Sequence, residues 1–292
     1  MASIVDLDKY PLTSPESPEY AALIQRCKEK IAEIGSVSFP GFIREDFVTL
    51  MAKQVDNLPS HQRMEVLSPW GTSQEFMKKL ELEKGGEIGE NHALNYKTVQ
   101  NVWAVAADCI PTESIVNRVY EWEPLKAFLA EVLGVQRLFP FGDEFQKLNV
   151  MYMRDSGSRC WHFDGSDFVV TMMVQPAEQG GEFEFVPFIR EPNGEERYSE
   201  YAKVFRGEVP TRVSKSEAGT LNLFCGNRSL HRVRCVYGGR KRILAVLSYD
   251  SVEGRKGTPL KNVSLYGERV RRKYLDRGEN LDEVDEKTVQ IY

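Results

Sequence analysis

Histidine is scarce in this chain, and two of its four histidines stand in settings that suit a metal ion. The segment CWHFDGSDF places His162 and Asp164 two residues apart. Because side chains alternate across a strand, both would project from the same face. A third candidate ligand, His231, follows in GNRSLHRVRCV. Two neutral imidazoles and one carboxylate leave adjacent positions open on an octahedral ion, which is the arrangement of non-haem iron(II) oxygenases.

The order of motifs around these residues makes the short His-x-Asp pattern a more specific indication of a metal site. After it come an apolar strand, the turn PAEQGGEFEFV, the second histidine and a basic cluster that opens RILAVLSYD. A dicarboxylate cosubstrate that chelates iron through its 2-oxo acid end needs an anchor for its far carboxylate, which an arginine fork provides. Arg242 is the first choice because it shares a strand face with Leu244 and Val246. Arg240, in the GGR turn, is the second.

Two hydroxyl side chains are further candidates for contact with the cosubstrate. Tyr152 lies on the strand before the His-x-Asp pattern, on the same side as Val150, and Thr171 lies on the strand after it. Each could equally be a core residue whose hydroxyl is satisfied locally.

The elements that must position these residues begin with helices. Residues 15–34 carry apolar side chains at steps of three and four, which predicts an amphipathic helix. The strand VSFPGF and a second helix, REDFVTLMAKQVDNL, follow. Residues 58–92 mix proline, glycine, serine and charges without a clear period, which predicts a long excursion on the surface or over a site.

From about residue 100 the pattern changes to short β-like segments bounded by turn residues, with helices inserted at SIVNRVYEWEPLKAFLAEVLG and EERYSEYAKVFRG. This order predicts a mainly β fold with flanking helices, whose core is a double-sheet jelly roll of the cupin-like kind. We expect one elaborated domain: a helical N-terminal region over 1–99, the core over 100–255, and a charged tail over 256–292 that is helical over the barrel or partly mobile.

Composition narrows the choice of partners. The 292 residues carry a formal net charge of −5 and a pI of about 5.6, so no overall positive field favours nucleic acid. Five scattered cysteines lack the spacing of a zinc or redox site, and a reducing compartment is the simpler interpretation. The first residues carry acids and prolines where a signal peptide would need a basic start and an apolar run, and no apolar stretch of the sequence approaches the ~20 residues needed to span a bilayer. The sequence predicts a cytoplasmic protein with no membrane partner.

At this point the chain resembles a known family. The order HxD, GGEFE, distal histidine and arginine opening the last strand resembles the 2-oxoglutarate and iron(II)-dependent oxygenase superfamily, whose core is a double-stranded β-helix. The stretches NVMYMRDSGSRCWHFDGSDFVVTMMVQPAEQGGEFEFVPFIR, GTLNLFCGNRSLHRV and GGRKRILAVLSYD are similar to a bacterial group that hydroxylates or halogenates free amino acids such as lysine. The resemblance covers roughly residues 100 to 255.

The resemblance implies roles for single residues and for cofactors. His162, Asp164 and His231 would bind iron(II), and Arg242 would bind 2-oxoglutarate. Dioxygen would be the oxidant, with succinate and carbon dioxide as coproducts. The halogenating members have glycine or alanine at the carboxylate position, so Asp164 implies hydroxylation of a small molecule, expected to be an amino acid. Glu144 falls near the position where lysine-active members bind the side-chain ammonium, although it could equally be a plain surface glutamate.

Two further residues complete the predicted site, and three different functions stay open beside this one. Trp161, next to His162, and Ser248, on the strand face of Arg242, are candidate substrate contacts. A cupin-like metal enzyme that does not use 2-oxoglutarate would keep the ligands without needing an arginine anchor. A non-catalytic binding module would keep the barrel alone, and a peptide or protein hydroxylase would keep the chemistry but need an open groove.

Overall fold

Helices come from both ends of the chain and from between the strands. The structure, a computed structural model, describes residues 1, 3–67 and 74–282. Within these residues the helices are α1 Pro18–Ile34, α2 Glu45–Val55, α3 Gln74–Glu83, α4 Ile115–Tyr120, α5 Glu123–Leu133, α6 Tyr198–Phe205, α7 Pro259–Tyr266 and α8 Glu268–Asp276.

Most of the strands are short, and most lie after residue 98. They are β1 Ser36–Phe39, β2 His61–Leu67, β3 Thr98–Val105, β4 Phe139–Pro140, β5 Leu148–Met153, β6 Arg159–His162, β7 Val169–Gln175, β8 Gln179–Gly180, β9 Phe183–Val186, β10 Arg212–Ser214, β11 Leu221–Phe224, β12 Leu230–Val233, β13 Val236–Tyr237, β14 Arg242–Leu247 and β15 Tyr249–Asp250.

Two antiparallel sheets face each other and form the jelly-roll core. The large sheet has the order β1-β11-β7-β14-β5-β3-β2, and the small sheet has the order β10-β9-β12-β6. Aromatic side chains join them across the interior: the ring of Phe224, on the large sheet, lies 4.9 Å from the ring of Phe183 and 4.9 Å from the ring of His231, both on the small sheet. The predicted mainly β fold with flanking helices is confirmed.

Helices cover the outer face of the large sheet and bury its apolar side chains. The predicted N-terminal helix is confirmed as α1, which begins after the Ser17 cap with Pro18 in its first turn and ends at Gly35. Its buried face includes Leu23 and Ile24, which join a core cluster with β-strand residues such as Val150. On the outer face of the small sheet, α6 buries Tyr201 in a second cluster.

The structure differs from the sequence expectation at two segments. Residues 58–92 are not a pure excursion, because β2 pairs with β3 at the edge of the large sheet and α3 follows; residues 68–73 lie outside the described residues. The large sheet also includes β1 and β2, so it is not confined to the predicted core segment 100–255. Residues after 256 form α7 and α8, and Val270 and Tyr274 of α8 are buried; residues 283–292 lie outside the description.

No helix within the described residues is long and apolar enough to cross a bilayer. All five cysteines are free thiols.

Candidate metal centre

Strand pairing places the two histidines side by side. β12 pairs antiparallel with β6, and His231 lies directly opposite His162. Residues opposite each other in such a pair project from the same face of the sheet. Asp164 lies just beyond the end of β6, where its backbone N–H donates a hydrogen bond of 3.0 Å to the carbonyl of Gly226.

The donor atoms of these residues converge. Asp164 Oδ1 lies 3.6 Å from His162 Nε2 and 3.5 Å from His231 Nε2. One donor atom from each residue lies within 4.8 Å of the others. Donors at right angles on an ion with bonds of ~2.1 Å lie about 3.0 Å apart, so an ion needs only a small closure of the three side chains. The predicted ligands are therefore brought together.

Backbone carbonyls fix the orientation of both imidazoles. His162 Nδ1 lies 2.7 Å from the carbonyl oxygen of Cys160, and His231 Nδ1 lies 2.8 Å from that of Ser229. A carbonyl can only accept, so each Nδ1 carries the proton and donates it. Each Nε2 then presents a lone pair toward Asp164, which is how metal-binding histidines are usually held.

The electrostatics of the cluster suit a cation. Burial, with His231 and the charge of Arg159 close by, holds the pKa of His162 well below its ordinary value, so that imidazole is neutral and able to bind a metal. Burial alone would raise the pKa of Asp164, but the neighbouring His231, His162 and Arg159 outweigh it and hold the pKa below its usual range. Asp164 is therefore an ionised carboxylate, and its buried Oδ2 has no hydrogen-bond partner among the described residues.

A glycine makes room for the carboxylate ligand. A Cβ added to Gly226 would lie 2.6 Å from Asp164 Cγ and 2.9 Å from Asp164 Cβ. Carbon atoms that are not bonded prefer separations of about 3.5–4.0 Å. Any larger side chain at position 226 would therefore push Asp164 away from the two histidines.

The predicted cosubstrate anchor is a buried cation with unpartnered N–H groups. Arg242 begins β14 and is only 4% exposed, and its Nε and Nη1 have no partner among the described residues. Burial lowers the pKa of Arg242 to about 10, so it stays protonated at neutral pH. It lines a small pocket with Phe183, whose ring lies 5.6 Å from the ring of His231. A buried guanidinium with free N–H groups beside the metal cluster suits a carboxylate.

The second glycine of the GGEFE motif lets this arginine pack. Gly181 has a φ of +71°, in the left-handed region, and an added Cβ would lie 3.0 Å from Arg242 Cδ. Arg240, the second choice, instead donates a 3.2 Å hydrogen bond to the carbonyl of Ala177. Of the two arginines, Arg242 is therefore the one whose buried Nε and Nη1 have no partner among the described residues.

Three predicted site residues lie away from the metal cluster. The hydroxyl of Tyr152 donates to the carbonyl of Val55 and accepts from the N–H of Leu58, on the helix-covered face of the large sheet. Trp161 belongs to the cluster on the outer face of the small sheet. Glu144 is on the surface, where it pairs with both terminal nitrogens of Arg277.

The positions of the other two predicted residues are compatible with a role. Thr171 lies on β7, two residues before Met173, which lines the Arg242 pocket. Ser248 follows β14, and its backbone carbonyl accepts hydrogen bonds from the N–H of Phe141 and the hydroxyl of Tyr120. Their contact with a ligand stays a prediction.

Sequence reasoning missed Arg159. Its Nε lies 3.3 Å from His162 Nε2, and its Nη1 donates a 2.5 Å hydrogen bond to Oε1 of the buried Gln100. Arg159 lies three positions before His162, and on a regular strand an odd offset places two side chains on opposite faces. The pairing of His231 with His162 and of Val233 with Arg159 shows a bulge in β6, and the bulge turns Arg159 to the metal side.

Comparisons with known proteins point in one direction. Residues 82–260 match the family model described as Halogenase D. HygX from Streptomyces hygroscopicus, solved with nickel, 2-oxoglutarate and hygromycin B bound, has 11% identity and a TM-score of 0.51 over 82% of this chain and 90% of that one. An oxidoreductase of the 2OG-Fe(II) oxygenase family from Burkholderia pseudomallei has 16% identity and a TM-score of 0.49, over 78% and 91%. No curated protein matches the sequence.

Proposed function

The chain belongs to the Halogenase D family, and we propose that it is an iron(II)- and 2-oxoglutarate-dependent dioxygenase that hydroxylates a small molecule, namely a free amino acid or a derivative. The observation that carries this proposal is the complete set of donors from His162, Asp164 and His231. Asp164 fills the position where a halogenating relative would leave room for a halide. The reaction class is therefore hydroxylation.

Each residue of the site has a task that follows from its geometry. The Nε2 atoms of His162 and His231 and the carboxylate of Asp164 would hold the metal. Arg242 binds the far carboxylate of 2-oxoglutarate through its unpartnered N–H groups. When bound, iron(II), 2-oxoglutarate and dioxygen supply the oxidising chemistry, with release of succinate and carbon dioxide.

Burial of the site supports the same proposal. His162, His231 and Arg242 are each less than a tenth exposed, so the groups that bind the cofactors are shielded from bulk water. Such shielding strengthens charge interactions and protects reactive species. The free thiols of all five cysteines support the expected cytoplasmic, reducing location.

The test is turnover with defined components. Purified protein is incubated anaerobically with iron(II) and 2-oxoglutarate, air is admitted, and succinate is measured with and without each amino acid of a panel. We expect one or a few amino acids to raise succinate above the uncoupled rate and to gain the mass of one oxygen atom. His162→Ala and His231→Ala should abolish both signals.

A histidine outside the site provides the control. His61, on β2, lines a different pocket with Tyr266 and Arg269, so His61→Ala should keep turnover. Circular dichroism melting shows whether each variant is folded. Turnover that depends on iron(II) but not on 2-oxoglutarate would favour a cupin-like enzyme of another reaction class, and full activity in His162→Ala would remove that residue from the ligand set.

A further inference from the structure

The carboxylate of Asp164 depends on the backbone on either side of it for its position. Its buried Oδ2 has no hydrogen-bond partner among the described residues, and Asp164 lies beyond the end of β6, where strand pairing no longer fixes it. Two segments therefore set the position of this ligand. One is the end of β6, and the other is loop 225–229, between β11 and β12, whose Gly226 carbonyl accepts the N–H of Asp164.

One guanidinium contacts both of these segments. Arg190 follows β9, and its Cζ lies 3.7 Å from the ring centroid of Phe163, the residue that separates the first two predicted metal ligands. Its Nη1 also donates a 2.9 Å hydrogen bond to the carbonyl of Asn227, which follows Gly226 in loop 225–229. A guanidinium can make both contacts at once, because it is flat, stacks on aromatic rings and carries its N–H donors along its edge.

The guanidinium of Arg190 is itself held in a fixed orientation. Its Nε and Nη2 lie 3.2 Å and 3.0 Å from the two carboxylate oxygens of Glu196, which is the two-pronged geometry of a strong ion pair. The backbone N–H of Arg190 donates a 3.1 Å hydrogen bond to the carbonyl of Arg228, in the same loop. Since the side chain of Arg190 is only 16% exposed, it is a packed group and not a mobile surface charge.

The same loop also orients the third predicted ligand. The carbonyl of Ser229 accepts from His231 Nδ1 at 2.8 Å, and the hydroxyl of Ser229 accepts from the N–H of Phe188 at 3.2 Å. Residues 188–190 therefore hold loop 225–229 at two points, one next to the residue that positions Asp164 and one at the residue that orients His231. Movement of the loop would change the distance between these two ligands.

We propose that Arg190 is a positioning residue of the metal centre. It connects the end of β6 to loop 225–229 and so fixes the carboxylate of Asp164 at the distance from the two histidines that a divalent ion needs. The proposal rests on the proposed function, because it concerns the same metal ligands. Arg190 has no contact with the metal or the substrate in this role; it acts through Phe163 and Asn227.

Charge and positioning predict opposite effects of removing Arg190. Loss of a cation lowers the repulsion on an entering dication and removes the charge that offsets Glu196, and both changes favour metal binding. Loss of the positioning contacts instead lets Asp164 move, and metal–ligand distances tolerate only about 0.2 Å. The direction in which metal affinity changes therefore distinguishes a positioning role from an electrostatic one.

The test is titration of nickel(II) into the metal-free protein in a calorimeter. Arg190→Met keeps an unbranched apolar side chain against Phe163 but cannot donate to Asn227, and its nickel affinity should fall about 10- to 100-fold. Arg190→Lys keeps the charge and a donor but not the flat fork, so it should recover part of that affinity. Circular dichroism melting of the metal-free proteins shows whether each variant is folded. If Arg190→Met does not fold, Arg190→Lys decides, and it should still lose at least about threefold.

Two further measurements ask whether the effect acts through Asp164. The visible absorption of bound cobalt(II) depends on the number and arrangement of its ligands, so it should differ between the wild type and Arg190→Met. In an Asp164→Gly background the carboxylate that Arg190 positions is gone, and Arg190→Met should then change neither nickel affinity nor the cobalt spectrum. Contacts that act through one residue are non-additive in this way.

A neighbouring arginine provides the matched control. Arg228 lies in the same loop and its Cζ lies 5.0 Å from the ring centroid of Phe188, so Arg228→Met removes a similar cation–π contact and should keep nickel affinity. Unchanged or raised nickel affinity in folded Arg190→Met overturns the proposal, as do an equal loss in Arg228→Met or an equal loss in the Asp164→Gly background. Failure of the wild-type protein to bind nickel at all would instead count against the proposed function.

Discussion

Substitution of Gly226 perturbs the metal centre without changing any ligand. The Cβ of Gly226→Ala would lie 2.6 Å from Asp164 Cγ, whereas nonbonded carbons prefer about 3.5–4.0 Å. Asp164 must therefore retreat by about 1 Å, while metal–ligand distances tolerate only about 0.2 Å. We expect metal affinity to fall about 10- to 100-fold, which is the loss typical when the groups that orient a metal ligand are disturbed.

The assay is calorimetric titration of nickel(II) or iron(II) into the metal-free protein, with circular dichroism melting as the check on folding. Gly239→Ala is the matched control, because an added Cβ there has nothing within 4 Å. Neither glycine has a left-handed φ, so the two substitutions differ in steric contact and not in backbone strain. The control should retain metal affinity.

A double variant decides whether the effect acts through Asp164. In an Asp164→Gly background the carboxylate that Gly226→Ala displaces is gone, so the alanine should cost little further affinity. Sites that act through one contact are non-additive in this way. Equal losses in both backgrounds would show that the alanine acts by another route. Unchanged metal affinity in Gly226→Ala alone would show that Asp164 is not a ligand in the position described.

Other perturbations test other parts of the site and the fold. Arg242→Ala should raise the KM for 2-oxoglutarate about 100-fold, since losing one partner of a buried charge pair costs about 2–5 kcal/mol; Arg240→Ala should not, and the reverse result would exchange their roles. Asp164→Gly should lose most hydroxylation and yield at most traces of chlorinated product in high chloride, as mass spectrometry would show; efficient chlorination would refute this. Asp108→Asn should lower the free energy of unfolding at pH 7 by about 1 kcal/mol after allowance for solvent screening. Burial alone would raise the pKa of Asp108, but hydrogen bonds from Arg269 and a lysine of α8 lower it to about 2. The difference in free energy of unfolding between the two proteins, measured by urea titration, should therefore vanish as the pH falls from about 4 to about 2. A difference that does not change with pH would contradict this prediction.

The sequence was sufficient to predict the placement of residues whose positions depend on local spacing. A separation of two on a strand places His162 and Asp164 on one side, and the structure brings their donor atoms to 3.6 Å. The same alternation of side chains across a strand selected Arg242 over Arg240. In the structure Arg242 is buried, whereas Arg240 donates a hydrogen bond to a backbone carbonyl. The helix-then-strand order likewise predicted a jelly roll with outer helices, because amphipathic helices need an apolar sheet face to cover.

Parity alone cannot say which face of a strand points inward. Tyr152 does share its face with Val150, as predicted, but that face packs against helices and not against the metal. Both faces of the large sheet are covered, so alternation of apolar and polar residues carries little signal there. The hydroxyl of Tyr152 therefore donates to the carbonyl of Val55 on that face and not toward the metal cluster.

Irregular strands hide residues from sequence reasoning altogether. A bulge adds one residue to β6 and reverses the parity between Arg159 and His162. No feature of SGSRCWH marks such a bulge, although the Gly157 before it is one weak signal. The charged segment of β2 was missed for a related reason: an edge strand is partly exposed, and its composition resembles that of a loop.

Two guanidiniums approach the metal centre from different sheets, and together they link the binding of metal and cosubstrate. Arg242 comes from β14 of the large sheet and Arg159 from β6 of the small one, while Asp164 supplies a carboxylate between the two histidines. A dication entering this site meets two like charges, and burial makes uncompensated charge costly. An anion on either arginine offsets that repulsion, so 2-oxoglutarate should strengthen metal binding, and the metal must strengthen 2-oxoglutarate binding by the same factor because linkage is reciprocal.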